Sequence, residues 1–135
     1  FVNLSLELRD LSSKKIQDMF NLINQNAKII AQKTSTKIEF EPIDATGEPA
    51  LMDKRIMNII KEASEDFKYS AQVMPSGAGH DAQDMALIAP TAMIFVPSRD
   101  GISHSPEEFT AFEMIYKGAN ILLNTIVELD KTKLD

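Results

Sequence analysis

Cysteine is absent from this chain, so neither a disulfide framework nor a thiolate metal site can form, and any metal must be held by His, Asp and Glu. Tryptophan is absent too, and histidine occurs only twice. Basic residues are scattered: 14 Lys and Arg stand against 20 Asp and Glu, giving a net charge of -6 and a pI near 4.9. Nucleic-acid affinity comes from clustered Lys and Arg, so this balance argues against a phosphate-backbone binder. No apolar run approaches the roughly 20 residues of a membrane span, and the first residues show no signal-peptide pattern. A soluble, cytoplasmic protein with neither nucleic-acid nor membrane partners is expected. Internal repeats and low-complexity tracts are also missing. The chain opens on Phe1 in mid-pattern, without an initiator Met, which suggests a piece of a longer polypeptide.

What is present is ordinary globular composition: 135 residues, 44% hydrophobic and 25% charged, enough for one domain or two small halves. From residue 2 to 9 the alternation is strict, with Val2, Leu4, Leu6 and Leu8 on one face, which reads as a half-buried strand. Ser12 or Ser13 then offers an N-cap. Ile16, Met19, Phe20, Ile23, Ala27 and Ile30 follow at helical spacing to about Gln32. Residues 36–41 return to period two. Strand, helix, strand in that order predicts a right-handed βαβ unit in an α/β fold.

The run 42–49 shifts to turn formers and marks a boundary between residues 1–44 and 45–135. Beyond it, Ile56, Met57, Ile59, Ile60, Ala63 and Phe67 mark a helix opened at Asp53. Residues 69–74 read as a short extended segment, and 81–89 as a short helix stopped by Pro90. Residues 91–96 are continuously apolar and predict a strand buried on both faces. Ser105, Pro106 and Glu108 form a capping-box pattern for a last helix running to about Leu129. Phe109, Phe112, Tyr116, Ala119, Leu123 and Ile126 are its expected core face.

Both histidines follow extended apolar segments in turn-rich loops, where binding groups concentrate. His104, placed before a helix at the end of a strand, could be a metal ligand, while a loop histidine bonded to a backbone carbonyl is the plain alternative. One histidine cannot make a metal site. Gly77, Ala78 and Gly79 before His80 and Asp81 could form a nest of backbone N–H groups for a substrate oxygen, or simply a tight turn with Asp81 as a cap. Arg9 could clamp a carboxylate with its fork, or be an ion-paired edge residue beside Glu7 and Asp10. The seven Met are spread as gap-fillers.

Taken together, Met74-Pro-Ser-Gly-Ala-Gly-His-Asp-Ala82 and Phe95-Val-Pro-Ser-Arg-Asp-Gly-Ile-Ser-His-Ser-Pro-Glu-Glu108 resemble the C-terminal signature of the dinuclear-metal amidohydrolases. The branch is that of N-carbamoyl-L-amino-acid hydrolase, allantoate amidohydrolase and yeast-type β-alanine synthase. Leu6-Glu-Leu-Arg-Asp10 resembles the acidic-x-Arg strand of that family's lid domain, with Glu7 where Asp is more usual and Ser105 where Asn is common. The resemblance implies that residues 1–44 are the last βαβ of a lid (dimerisation) domain. Residues 45–135 would then close a zinc-peptidase-like α/β catalytic domain. It further implies His104 as a metal ligand, with Gly79 and His80 as substrate-loop residues. Arg9 would reach the substrate carboxylate from the partner subunit of a homodimer. Two divalent metals (zinc, manganese, cobalt or nickel) would lower the pKa of a bridging water, and a Glu upstream of Phe1 would take its proton. The substrate is expected to be a small carbamoyl, ureido or amide compound of amino-acid type. This piece alone is expected to be inactive. A non-catalytic βαβ binding or dimerisation module is the alternative.

Overall fold

The computed structural model describes residues 1–43 and 47–132; the expected boundary at 44/45 lies outside the described residues. The element order is α1 (Ser13–Thr34), α2 (Lys54–Asp66), α3 (Ala82–Met85), a 3₁₀ turn (Arg99–Gly101) and α4 (Phe112–Lys131). The chain divides into two compact units, the first formed by Phe1–Leu51 with Pro75–Gln83 and the second by Met52–Met74 with Asp84–Asp135.

The first unit is built on α1. Ser12, extended at φ -123, caps it by accepting the Lys15 amide, and at the far end Ser35 turns left-handed so that the Thr36 amide reaches Ala31 O. Its half-buried stripe is Ile16, Phe20, Ile23, Ala27 and Ala31, with Phe20 meeting Phe40 edge-to-face at 5.4 Å between centroids. Met19 and Ile30, expected on the core face, remain exposed.

The expected βαβ unit does not form: among the described residues there is no strand, so the α/β reading is corrected to a helical one. Residues 2–9 and 36–41 are non-helical, and no backbone hydrogen bond among the described residues joins them. Alternation marks a face that can be buried, but a strand exists only where a neighbour supplies the ladder. Here that face is open, with Leu4 at 91% exposure. The same correction applies to 91–96, where no ladder forms and Phe95 and Val96 are exposed rather than buried on both faces.

The second unit is the pair α2 and α4. Asp53 caps α2, accepting the amides of Arg55 at 2.8 Å and Ile56 at 3.3 Å. Its own amide donates to Thr91 O at 2.8 Å. The helix ends in a Schellman motif, with Lys68 left-handed at φ 58, Tyr69 N–H on Ser64 O and Lys68 N–H on Glu65 O. Ile56, Ala63 and Ser64 are buried, as is Thr125 of α4.

Helix α4 departs from expectation at its start and in its orientation. The residues of the capping-box pattern close a separate turn, in which the Glu108 amide donates to Ser105 O at 3.0 Å, and the helix begins only at Phe112. Phe109 stays in the loop, its carbonyl accepting from the Arg99 amide and its ring lying 5.0 Å from the Arg99 guanidinium. The less exposed face of α4 runs through Met114, Gly118, Ile121 and Thr125, while Phe112, Tyr116, Leu123 and Ile126 are exposed. Small residues select that face. A Cβ at Gly118 would lie 2.5 Å from Val96 Cγ1, so the approach made there admits only glycine without a shift.

The cap of α2 makes a pH dependence. Hydrogen bonds from the Arg55 side chain, and then from backbone amides, lower the Asp53 carboxyl from 3.8 to about 2. A depressed carboxyl contributes stability that is complete above its unfolded pKa and is lost as pH falls through the folded one. The start of α2 is therefore expected to loosen between about pH 4 and 2. Asp53→Asn should keep a cap and lose that dependence. Amide exchange at Arg55 and Ile56 across an acid titration measures it, and identical profiles for parent and variant would remove the role given to Asp53.

Candidate functional site

Arg9, Gly79 and His80 belong to the first unit and His104 to the second. Arg9 sits on the non-helical segment just before α1. Its Nε and Nη2 both meet Glu7 Oε1, at 2.7 and 2.5 Å, and its Nη1 donates to Gly77 O at 2.6 Å. The structure thus brings together residues 68 positions apart in sequence. One carboxylate oxygen takes both contacts from Glu7, so the paired two-oxygen arrangement of a fork is not used. Arg9 keeps 57% of its side chain exposed.

The loop 75–81 is held by side chains both within it and outside it. Ser76 Oγ lies 2.7 Å from His80 Nε2 and accepts the Ala78 amide at 3.3 Å. The His80 amide donates to Gln83 Oε1 at 3.1 Å, and Gln83 Nε2 donates to Glu48 O at 2.8 Å. Neither Gly77 nor Gly79 takes a positive φ. Two of the loop's amides are engaged by side chains, and the Gly77 carbonyl faces Arg9. Asp81, expected as a cap, makes way for Gln83, which reaches back three residues as in a capping box.

His104 stands in a loop with two left-handed stretches. Asp100 and Gly101 take φ of 57 and 69, and His104 itself takes 55, uncommon for a residue with a Cβ although histidine is among those that tolerate it. Ser98 Oγ donates to Ile102 O at 2.6 Å, and the His104 amide donates to Glu108 Oε2 at 2.8 Å. Ser105 Oγ donates to the Glu107 carboxylate, which lowers the carboxyl pKa. The His104 imidazole is exposed, and among the described residues it makes no hydrogen bond, to a backbone carbonyl or otherwise. Among the described residues no three His, Asp or Glu come together as a metal site. Toward such a site His104 offers one nitrogen.

Ser76, Gln83 and Glu108 were not read as site residues from the sequence. For Gln83 and Glu108 the signal was available, since each lies three or four residues after a histidine, within reach of its amide. Ser76 had none beyond its place in a Gly-rich turn.

Residues 5–128 match peptidase family M20/M25/M40. The chain is 33% identical over 128 residues to the N-carbamoyl-L-amino acid amidohydrolase of Geobacillus stearothermophilus, covering 95% of this chain and 31% of that protein. It is 38% identical over 113 residues to the allantoate amidohydrolase of Bacillus subtilis, covering 84% of this chain and 26% of that protein. The crystal structure of AtUAH in complex with (S)-hydroxyglycine is similar with a TM-score of 0.76 and 32% identity, over 91% of this chain and 29% of that one. The chain thus spans less than a third of the length of the proteins it matches. No helix among the described residues is long and apolar enough to cross a membrane. The resemblance carried by the two long motifs is borne out, and the chain belongs to peptidase family M20/M25/M40.

Proposed function

We propose that this chain is part of a metal-dependent amidohydrolase that cleaves a carbamoyl, ureido or amide C–N bond of a small amino-acid-like substrate. The observation that carries the reading is the bond from Arg9 to Gly77 O, which sets a guanidinium on the loop of Gly79 and His80. In this reading Arg9 binds the substrate carboxylate, displacing Glu7 from its Nε and Nη2 edge. His80, fixed by Ser76, and the Gly79 backbone orient the group to be cleaved. His104 contributes one ligand nitrogen, and residues outside this chain complete the set. Two divalent metals, when bound, supply Lewis-acid polarisation and an acidified water. The polypeptide acts as a homodimer, in the cytoplasm, with residues 1–44 in a dimerising domain and 45–135 in the catalytic one.

A polypeptide of the relatives' full length containing this chain is expected to release ammonia from N-carbamoyl-L-amino acids or allantoate. Activity should disappear on chelation and return with added zinc or manganese. The isolated 135-residue chain should be silent. Hydrolysis that is indifferent to chelators, or shown by the isolated chain free of contaminants, would overturn the reading.

A further inference from the structure

The sequence motif ends at Ala82, yet a side chain that ties the His80 backbone to another segment of its unit lies one residue beyond it. Gln83 has both ends of its amide in use on the backbones of two separate segments. Oε1 accepts the His80 amide at 3.1 Å, and Nε2 donates to Glu48 O at 2.8 Å. Glu48 is itself tied to α1, since Ser13 Oγ donates to Glu48 Oε2 at 2.6 Å. All these residues lie in the first unit.

Glycines flank the amide. A Cβ on Gly47 would stand 3.3 Å from Gln83 Nε2, tighter than an ordinary contact, and one on Gly79 would stand 3.5 Å from Oε1. The backbone at Gly47 thus comes against the amide where a side chain would crowd it, whereas at Gly79 a Cβ would make ordinary contact. The His80 ring is oriented from the other side by Ser76 Oγ, at 2.7 Å. The backbone of His80 and its ring therefore have different anchors, and Gln83 is the one that reaches outside the loop.

We infer that Gln83 is a positioning residue for His80, fixing its backbone relative to 47–48 and α1 so that the imidazole is presented to the substrate. The inference rests on the reading of His80 as a substrate-loop residue. Gln83 does not touch substrate. It acts by limiting the orientations the loop can take, and a displacement of about 1 Å at a positioned group can cost up to roughly 100-fold in rate.

The test uses the full-length polypeptide with Gln83→Ala, Gln83→Glu, His80→Ala and the double variant His80→Ala/Gln83→Ala. Amide exchange at His80 is read first and needs no substrate. Loss of one hydrogen bond of ordinary strength should speed it by about fivefold, with the amides in the middle of α1 and α2 unchanged. Gln83→Glu keeps an acceptor for His80 but cannot donate to Glu48, so it should also exchange faster than the parent. Unchanged exchange in Gln83→Ala overturns the inference. Turnover of N-carbamoyl-L-amino acids and allantoate is read second. Gln83→Ala should lower kcat by about tenfold with metal content unchanged, and should cost little further once His80 is alanine. An equal loss in both backgrounds would make Gln83 a residue of the fold at large and overturn the positioning role. If His80→Ala alone leaves turnover intact, the assignment of His80 to substrate fails, while the exchange result still decides whether Gln83 anchors the loop.

Discussion

Replacing His104 by alanine in the full-length polypeptide is expected to remove activity and metal together, whereas His80→Ala lowers turnover with metal retained. The geometry of the His104 loop makes the first variant informative. What holds the loop is the bond from Ser98 Oγ to Ile102 O, the Arg99 amide on Phe109 O and the His104 amide on Glu108. None of these uses the imidazole, so removing the ring should leave the loop in place. His104 already carries a Cβ at φ 55, so alanine there adds little new backbone strain. A loss of activity beyond about 100-fold is expected, because even partners one shell removed from a metal cost about 10–100-fold. His80→Ala breaks the bond to Ser76 Oγ, and a fall of about 10–100-fold is expected from lost orientation. Elemental analysis of both variants decides between the roles. Equal metal content in the two would count against His104 as a ligand.

The helices were legible where an uncontested cap met a helical stripe. Ser12 and Asp53 each accept amides at the helix starts they were read for. Ser105 failed as such a marker because its oxygen serves Glu107 and its carbonyl takes Glu108 N–H, so the chain leaves the turn before helix geometry resumes at Phe112. The hydrophobic stripe of α4 misled for another reason. Apolar surface says what can be buried, but the closest packing goes to the small residues, Gly118 and Thr125, and leaves Phe112 at 80% exposure. The strand readings failed on pairing. Val2, Leu4, Ile38 and Phe40 carry the period-two signal, yet no ladder partner is present among the described residues. The two long motifs identified the family although the surrounding fold was misread, since a loop's turn chemistry is local and a sheet's is not. Half of what Gln83 does was legible in its spacing from His80, but its second bond, to Glu48, spans 35 residues and no local pattern contains it.

Arg9→Ala in the full-length polypeptide is expected to lower kcat/KM by roughly 30-fold or more, since losing one partner of a desolvated charge pair costs about 2–5 kcal/mol. Metal content should not change. In this chain the guanidinium is engaged by Glu7 Oε1 and Gly77 O, and three of its five N–H donors are accounted for by those contacts. A substrate carboxylate must take the remaining donors or displace Glu7, whereas Gly77 O can stay bonded and keep the guanidinium on the loop. Arg9→Lys retains the charge and loses the planar fork, so it should weaken productive binding as well. Glu7→Gln removes the competing charge but leaves Arg9 on Gly77, and should not reproduce the loss. Within one chain Arg9 already lies on the loop of Gly79 and His80, whereas the family resemblance assigns it to the partner's site. A mixed dimer of an Arg9→Ala subunit with a His104→Ala subunit separates these arrangements. If Arg9 acts across the interface, the two intact residues meet in one site and that heterodimer keeps about half of the wild-type dimer's activity. If Arg9 acts within its own chain, each site lacks one residue, and purified heterodimers should be no more active than the Arg9→Ala parent.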